Sequence, residues 1–201
     1  LQILPQLNIG GVERGTLDLS KALIEQGHES FVISGGGILV DELIRSGAKH
    51  YEIPVHIKSL RTLYLAKSLS EKISSIDPDI VHVRSRMPAW VNYRAFKMLK
   101  KKPLLISTFH GLYSFPIYSK VMSFVDHSIA ISKTVERYIL ENYRLDKDDI
   151  TVIPRGCDPI EFNNDVINPV DKANIIEEFP QIVGKKVLTI PGRITKWKGV
   201  A

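Results

Sequence analysis

Leu1-Gln2-Ile3-Leu4-Pro5-Gln6-Leu7-Asn8-Ile9-Gly10-Gly11-Val12-Glu13 runs from a strand-like apolar segment into a paired-glycine turn. Val12, Leu19 and Leu23 then fall on one helical face, and Gly27 ends that helix as a C-terminal glycine does. Strand, glycine turn and amphipathic helix open a βαβ unit, and the rest of the chain repeats the pattern. Strands are expected at 1–7, 31–34, 50–53, 80–83, 104–107, 128–131 and 150–153. Helices are expected at 39–46, 60–76, 89–100 and 134–142 between them. Strands that alternate with helices need right-handed crossovers, and these build a parallel sheet covered on both faces. The reading is an α/β, Rossmann-like, doubly wound domain whose ligands sit outside the carboxyl ends of the strands.

The segment from 159 to 184 carries Pro159, Pro169 and Pro180 and reads as a connection with one helix near 173–178. Beyond it, Val187-Leu188-Thr189-Ile190 reads as a further strand, followed by Gly192-Arg193-Ile194-Thr195-Lys196-Trp197-Lys198-Gly199. A strand that delivers glycine, arginine and lysine to its carboxyl end is suited to an anion. The domain expectation is therefore 1–184 for a whole Rossmann-like domain and 185–201 for the first strand of a truncated second one, with an anion site between the two.

At 201 residues with 44% hydrophobic and 24% charged residues, the chain has the composition of a soluble globular protein. No run reaches the ~18 to 20 apolar residues needed to cross a bilayer. The first residues lack the basic start and cleavage site of a signal peptide, and lack Met, so the true start is expected upstream. A single cysteine, Cys157, excludes an internal disulfide and suits a reducing cytoplasm. The net charge is +5, with cations gathered at Arg94, Lys97, Lys100, Lys101 and Lys102. That cluster fits a solvated helix end or an anionic membrane surface. It fits nucleic acid poorly, because no aromatic residues interleave to stack on bases.

Three loops carry candidate chemistry. Gly10 and Gly11 let the backbone approach a ligand, and the helix start behind them offers free N–H groups, so the turn is a phosphate-class site or simply a tight turn. Two better-known nucleotide motifs fail there. Gly10 to Gly15 has P-loop spacing, but Thr16 stands where lysine is needed. The dinucleotide glycine pattern is absent, and Ser34-Gly35-Gly36-Gly37 follows the second strand where an acidic residue would hold a ribose. Arg84-Ser85-Arg86 follows the fourth strand and suits an acidic or phosphorylated acceptor, or a plain surface loop. His110, in Thr108-Phe109-His110-Gly111, can point into the cleft and hydrogen-bond a sugar hydroxyl, or be structural. His82 reads as a satisfied core residue. The remaining histidines show no ligand-like pairing, so no zinc site is expected. Asp77-Pro78-Asp79 lies at a helix-to-strand turn, on the wrong end of the sheet, and reads as turn chemistry.

The chain resembles the amino-terminal half of a group 1, family 4 glycosyltransferase. The matching segments are Gly10-Gly11-Val12-Glu13 with Gly27-His28-Glu29, Pro78-Asp79-Ile80-Val81-His82, Thr108-Phe109-His110-Gly111, Ile129-Ala130-Ile131-Ser132, Val152-Ile153-Pro154-Arg155-Gly156-Cys157-Asp158, and Gly192-Arg193 with Lys198-Gly199. Arg84 to Trp90, with Thr108 to Tyr113, looks like a proteobacterial branch linked to envelope polysaccharide or lipopolysaccharide. The resemblance implies a retaining transferase that takes a nucleotide-diphosphate sugar, needs no metal, and acts on a glycan or lipid-linked acceptor at the cytoplasmic side of a membrane. It places Arg193 and Lys198 on the donor diphosphate, lets the loop of Gly10 and Gly11 approach the donor and acceptor, and sets His110 near the reacting carbon. Glu13 joins Arg84, Ser85 and Arg86 as an acceptor contact. Arg155 stands where the family commonly has asparagine, and its role is open. The family's paired glutamates lie beyond Ala201, so turnover by these residues alone is not expected. The rival reading is a non-catalytic Rossmann-like module that binds a phosphorylated ligand.

Overall fold

The computed structural model describes residues 1–57, 62–113, 116–160, 163 and 167–190. It divides into two compact units, Leu1–Arg155 and Gly156–Ala201. The first unit alternates strand and helix: β1 (Gln2–Ile3), α1 (Gly11–Glu25), β2 (Phe31–Ser34), α2 (Val40–Arg45), β3 (Lys49–Glu52), α3 (Thr62–Ile76), β4 (Ile80–Val83), α4 (Arg86–Phe96), β5 (Leu104–Phe109), α5 (Pro116–Ser119), β6 (His127–Ala130), α6 (Lys133–Asn142) and β7 (Ile150–Val152). All seven strands join one sheet in the order β3-β2-β1-β4-β5-β6-β7, and every pairing is parallel. This is the Rossmann-like doubly wound sheet that the alternation predicted.

Burial explains why these strands take the centre. Ile3, Val32, Ile33, Val81 and Val83 are at most 1% exposed. One apolar cluster gathers Leu69 and Ile73 of α3, Ala89, Val91 and Ala95 of α4, and Phe109 of β5. A second, of Leu4, Leu7, Leu17, Val32, Leu43 and Ala48, packs with Ile24, Leu39 and Val40. Two clusters served by different helices are what a sheet covered on both faces requires.

The expected first strand was longer than the one observed. Pro5 has no N–H to donate, so the regular ladder stops after Ile3. The chain nevertheless stays beside β2, through Leu4 N to Ile33 O at 3.1 Å, Gly35 N to Pro5 O at 2.9 Å and Leu7 N to Gly36 O at 2.7 Å. Gly37, at φ +138°, lies so close to the Leu7 backbone that no side chain fits there. Asp77 takes a left-handed φ of 47° and accepts Lys101 Nζ at 2.8 Å, which bears out turn chemistry at that site. Among the described residues no helix is long and apolar enough to cross a membrane.

In the second unit, α7 (Pro169–Glu178) is capped by the Asn168 side chain, which accepts Val170 N at 2.9 Å. The strand expected at 187–190 is not formed, and Leu188 is 99% exposed. A strand without a ladder neighbour leaves its backbone groups to water and gains little from its side chains. Leu60, Arg193 and Lys198 lie outside the described residues.

Candidate functional site

The strand order reverses between β1 and β4, and a crevice opens at such a reversal beyond the carboxyl ends of the strands. The residues that follow β1, β4 and β5 are therefore directed there: the Gly10-Gly11 turn, Arg84 and His110. The long-range hydrogen bonds around this point show how they are held.

Helix α1 starts at Gly11 behind an extended Gly10, and no side-chain hydrogen bond caps it. Its first N–H groups point out of the helix without intrahelical acceptors. Glu13 folds its carboxylate back over Gly10, so that a methyl group added there would meet it. Arg84 lies directly beyond β4 and is 6% exposed. Its Nη1 donates to Gln2 Oε1 at 2.7 Å, while Gln2 Nε2 donates to Ser20 Oγ at 2.9 Å and to the Thr16 carbonyl at 3.2 Å. The Gln2 amide thus ties the first strand, the first helix and a buried cation together. Arg84 Nε has no partner among the described residues. Burial, then the neighbouring Arg155, brings the Arg84 guanidinium down to about 10, while Asp18 and Glu13 oppose the shift. At neutral pH it stays a cation.

Arg155 reaches the same place from the far edge of the sheet. β7 lies four strands from β1, roughly 19 Å at the usual spacing. Three further residues and a long side chain cover that distance, and Arg155 Nη2 donates to the Gly11 carbonyl. A methyl group on Gly15 would lie 3.2 Å from Arg155 Cζ and 3.3 Å from Arg84 Nη2. Both guanidiniums therefore flank one turn of α1. Among the described residues neither forms an ion pair with a carboxylate.

His110 has both ring nitrogens buried, and neither has a partner among the described residues. Its pKa is pushed down to about 3, chiefly by burial and then by Arg84 and Arg155. The ring is neutral near pH 7, so its buried nitrogens are one donor and one acceptor, each without a partner among the described residues. His82, inside β4, bears out the reading of a satisfied core residue: its Nε2 bonds Thr108 Oγ1 at 2.7 Å, and its pKa is well below the ordinary value, first by burial and then by Arg84 and His110.

Not every candidate joins this group. Ser85 is the extended N-cap residue of α4. Arg86 takes other partners: its guanidinium lies 4.8 Å from the Tyr113 ring centroid and 5.5 Å from that of Tyr118, and Nη1 reaches Ser119 Oγ at 3.4 Å. In the basic cluster, Lys97 stands 4.3 Å over the Tyr93 ring, and Lys101 pairs with Asp77. A groove of about 670 Å³ lined by Phe96, Lys97, Lys102, Leu104 and Phe124 lies beside them. Cys157 is an exposed free thiol. Sequence reasoning missed Gln2 and Thr108, and left Arg155 unassigned. A glutamine inside an apolar strand was the available signal for the first. Nothing local announces that Arg155 returns to Gly11, 144 residues away.

A family model described as Glycosyltransferase Family 4 matches residues 9–161. One subunit of the human phosphatidylinositol N-acetylglucosaminyltransferase is 25% identical over 185 residues, which are 84% of this chain and 38% of that protein. A glycosyltransferase from Rickettsia africae ESF-5, solved as a crystal structure, is 35% identical with a TM-score of 0.78. That match covers 98% of this chain and 54% of the Rickettsia chain. Anabaena Alr3699/HepE, solved with UDP-glucose, shares the fold at a TM-score of 0.70 and 14% identity, over 89% of this chain and 49% of its own. The chain spans between about a third and just over half the length of these relatives.

Proposed function

Because the chain belongs to glycosyltransferase family 4, we propose that it forms the acceptor-binding part of a retaining transferase, which moves a sugar from a nucleotide-diphosphate sugar to an envelope glycan or glycolipid. The observation that carries this reading is His110, a neutral imidazole whose two buried nitrogens have no partner among the described residues and which feels the charges of Arg84 and Arg155. A neutral ring is suited to hydrogen-bond sugar hydroxyls, which are neutral donors and acceptors themselves. The glycines leave room for the sugar to approach the backbone. In HepE the same fold is solved with UDP-glucose, which supports a nucleotide-sugar donor here.

Cleavage of the bond between the sugar and the diphosphate places negative charge on the leaving oxygen. Fixed cations lower that barrier more than they stabilise the bound donor, because the charge grows as the bond breaks. The resemblance gives this role to Arg193 and Lys198. No metal is needed in this scheme. Glu13, Arg84 and Ser85 are proposed to face the acceptor, and Arg86 to orient the tyrosines beside it. The cations around Lys97 to Lys102 are proposed to rest against anionic lipid on the cytoplasmic side, which would bring a lipid-linked acceptor within reach.

Calorimetric titration of UDP-sugars into the full-length protein tests the donor assignment. Arg193→Ala is expected to weaken binding at least tenfold, the loss of one charge-assisted contact of about 1.5 kcal/mol or more. Unchanged affinity would remove the diphosphate role from Arg193.

A further inference from the structure

Arg155 has no role in the proposed transfer, yet it is the residue that completes the charge around the first turn of α1. Arg84 is 6% exposed, and its buried Nε has no acceptor among the described residues. The side chain that accepts from it is the neutral amide of Gln2. Arg155 brings a second guanidinium to the same turn and spends one N–H on the Gly11 carbonyl. Two like charges held this close repel, and a buried arginine such as Arg84 is ordinarily met by a carboxylate. Here the acids that act on Arg84 are Asp18 and Glu13. Asp18 is already paired with Arg14 at 3.2 Å, and Glu13 lies over Gly10 at the helix start. The guanidiniums of Arg84 and Arg155 therefore stand together beside one face of α1, near Gly15, and among the described residues no carboxylate pairs with either.

We propose that Arg84 and Arg155 form a paired-guanidinium site for a phosphate group on the acceptor. This rests on the reading of the first unit as the acceptor-binding part of a transferase. Forked guanidiniums match phosphate oxygens two at a time, and a phosphate monoester carries about the charge that two arginines supply. Glu13 competes for the same helix terminus, so it must swing aside when the phosphate binds. The acceptor class is then a phosphorylated glycan or a glycolipid with its phosphate near the hydroxyl that receives the sugar.

The test is calorimetric titration of the 201-residue chain with glycerol 3-phosphate as a monoester probe and UDP as a donor-side probe. Glycerol 3-phosphate is expected to bind saturably. Arg155→Ala should weaken it about tenfold to a hundredfold, Arg155→Lys should restore only part of that, and Glu13→Gln should tighten it. Arg155 is exposed, so its variants are expected to melt as the parent does, and the melt is recorded alongside. The proposal is overturned if glycerol 3-phosphate fails to bind, if Arg155→Ala binds it as the parent does, or if UDP displaces it. Displacement by UDP would assign the arginines to the donor. Loss of donor binding through Arg193 and loss of phosphate binding through Arg155 are read with different ligands, so either result can fail without the other.

Discussion

Acidification should weaken this protein through His110, and the size of the effect follows from the site. The folded ring is held at about 3 by burial and by two arginines, whereas an unfolded histidine titrates near 6.5. Between those values the unfolded chain binds a proton that the folded chain refuses. Stability therefore rises with pH through that window and is lost as pH falls from about 6.5 toward 3. At about 1.4 kcal/mol per unit, acidification to pH 5 costs roughly 2 kcal/mol, or about 1 to 2 after allowing for local relaxation. Urea midpoints followed by circular dichroism at pH 7 and pH 5 provide the assay, with His110→Asn as the comparison. His82 is common to both proteins, and burial, the largest cause of its lowered pKa, is common to both as well. The parent should lose about 1 to 2 kcal/mol more than the variant between the two conditions. Parallel losses would show that the ring protonates without cost, and the description of His110 as a buried neutral group would fall with it.

Two further outcomes follow from packing. Phe109 is fully buried and lies 5.5 Å from the Tyr113 ring and 5.4 Å from the Tyr143 ring, so Phe109→Ala should cost about 3 to 5 kcal/mol in chemical denaturation. A cost below about 1 kcal/mol would contradict the packing described for the end of β5. Gly15→Ala gains about 0.5 to 1 kcal/mol of helix propensity, but its methyl group must displace Arg155 and press on the buried Arg84, so the melting temperature should change little. Phosphate affinity should drop, because the Arg155 guanidinium is pushed from its place. A variant with unchanged affinity would mean that the guanidinium is not held where the site requires it.

The sheet was legible where periodicity and composition agree. β2 and β4 occupy the residues expected of them, because each is a short run of branched apolar residues bounded by turn signals. Boundaries moved where a local rule intervened. Helix α4 begins at Arg86 rather than at 89: Pro88 falls in its first turn, where an N–H has no acceptor anyway, and Ser85 precedes it in extended form. The loop residues Gly10, Gly11, Arg84 and His110 were found because they follow strands that a doubly wound sheet places side by side. Their binding partners were not, because Gln2 to Arg84 and Gly11 to Arg155 are contacts across 82 and 144 residues. Side-chain pairing at that separation is a product of the assembled fold and leaves no local trace.

The all-parallel order also sets a timetable for synthesis. Among the described strands no hairpin forms, so the interior strand β1 meets its successor only across a helix and needs a later strand on its other side. Gln2 and Ile3 find Val32 and Ile33 on one flank, and then wait for His82 and Val83 on the other. At a ribosomal rate of roughly 5 to 20 residues per second, that second flank emerges some 4 to 16 seconds after the first strand does. During this interval the future middle of the sheet is an open edge, and a nascent chain in that condition is exposed to pairing with its neighbours on a crowded polysome.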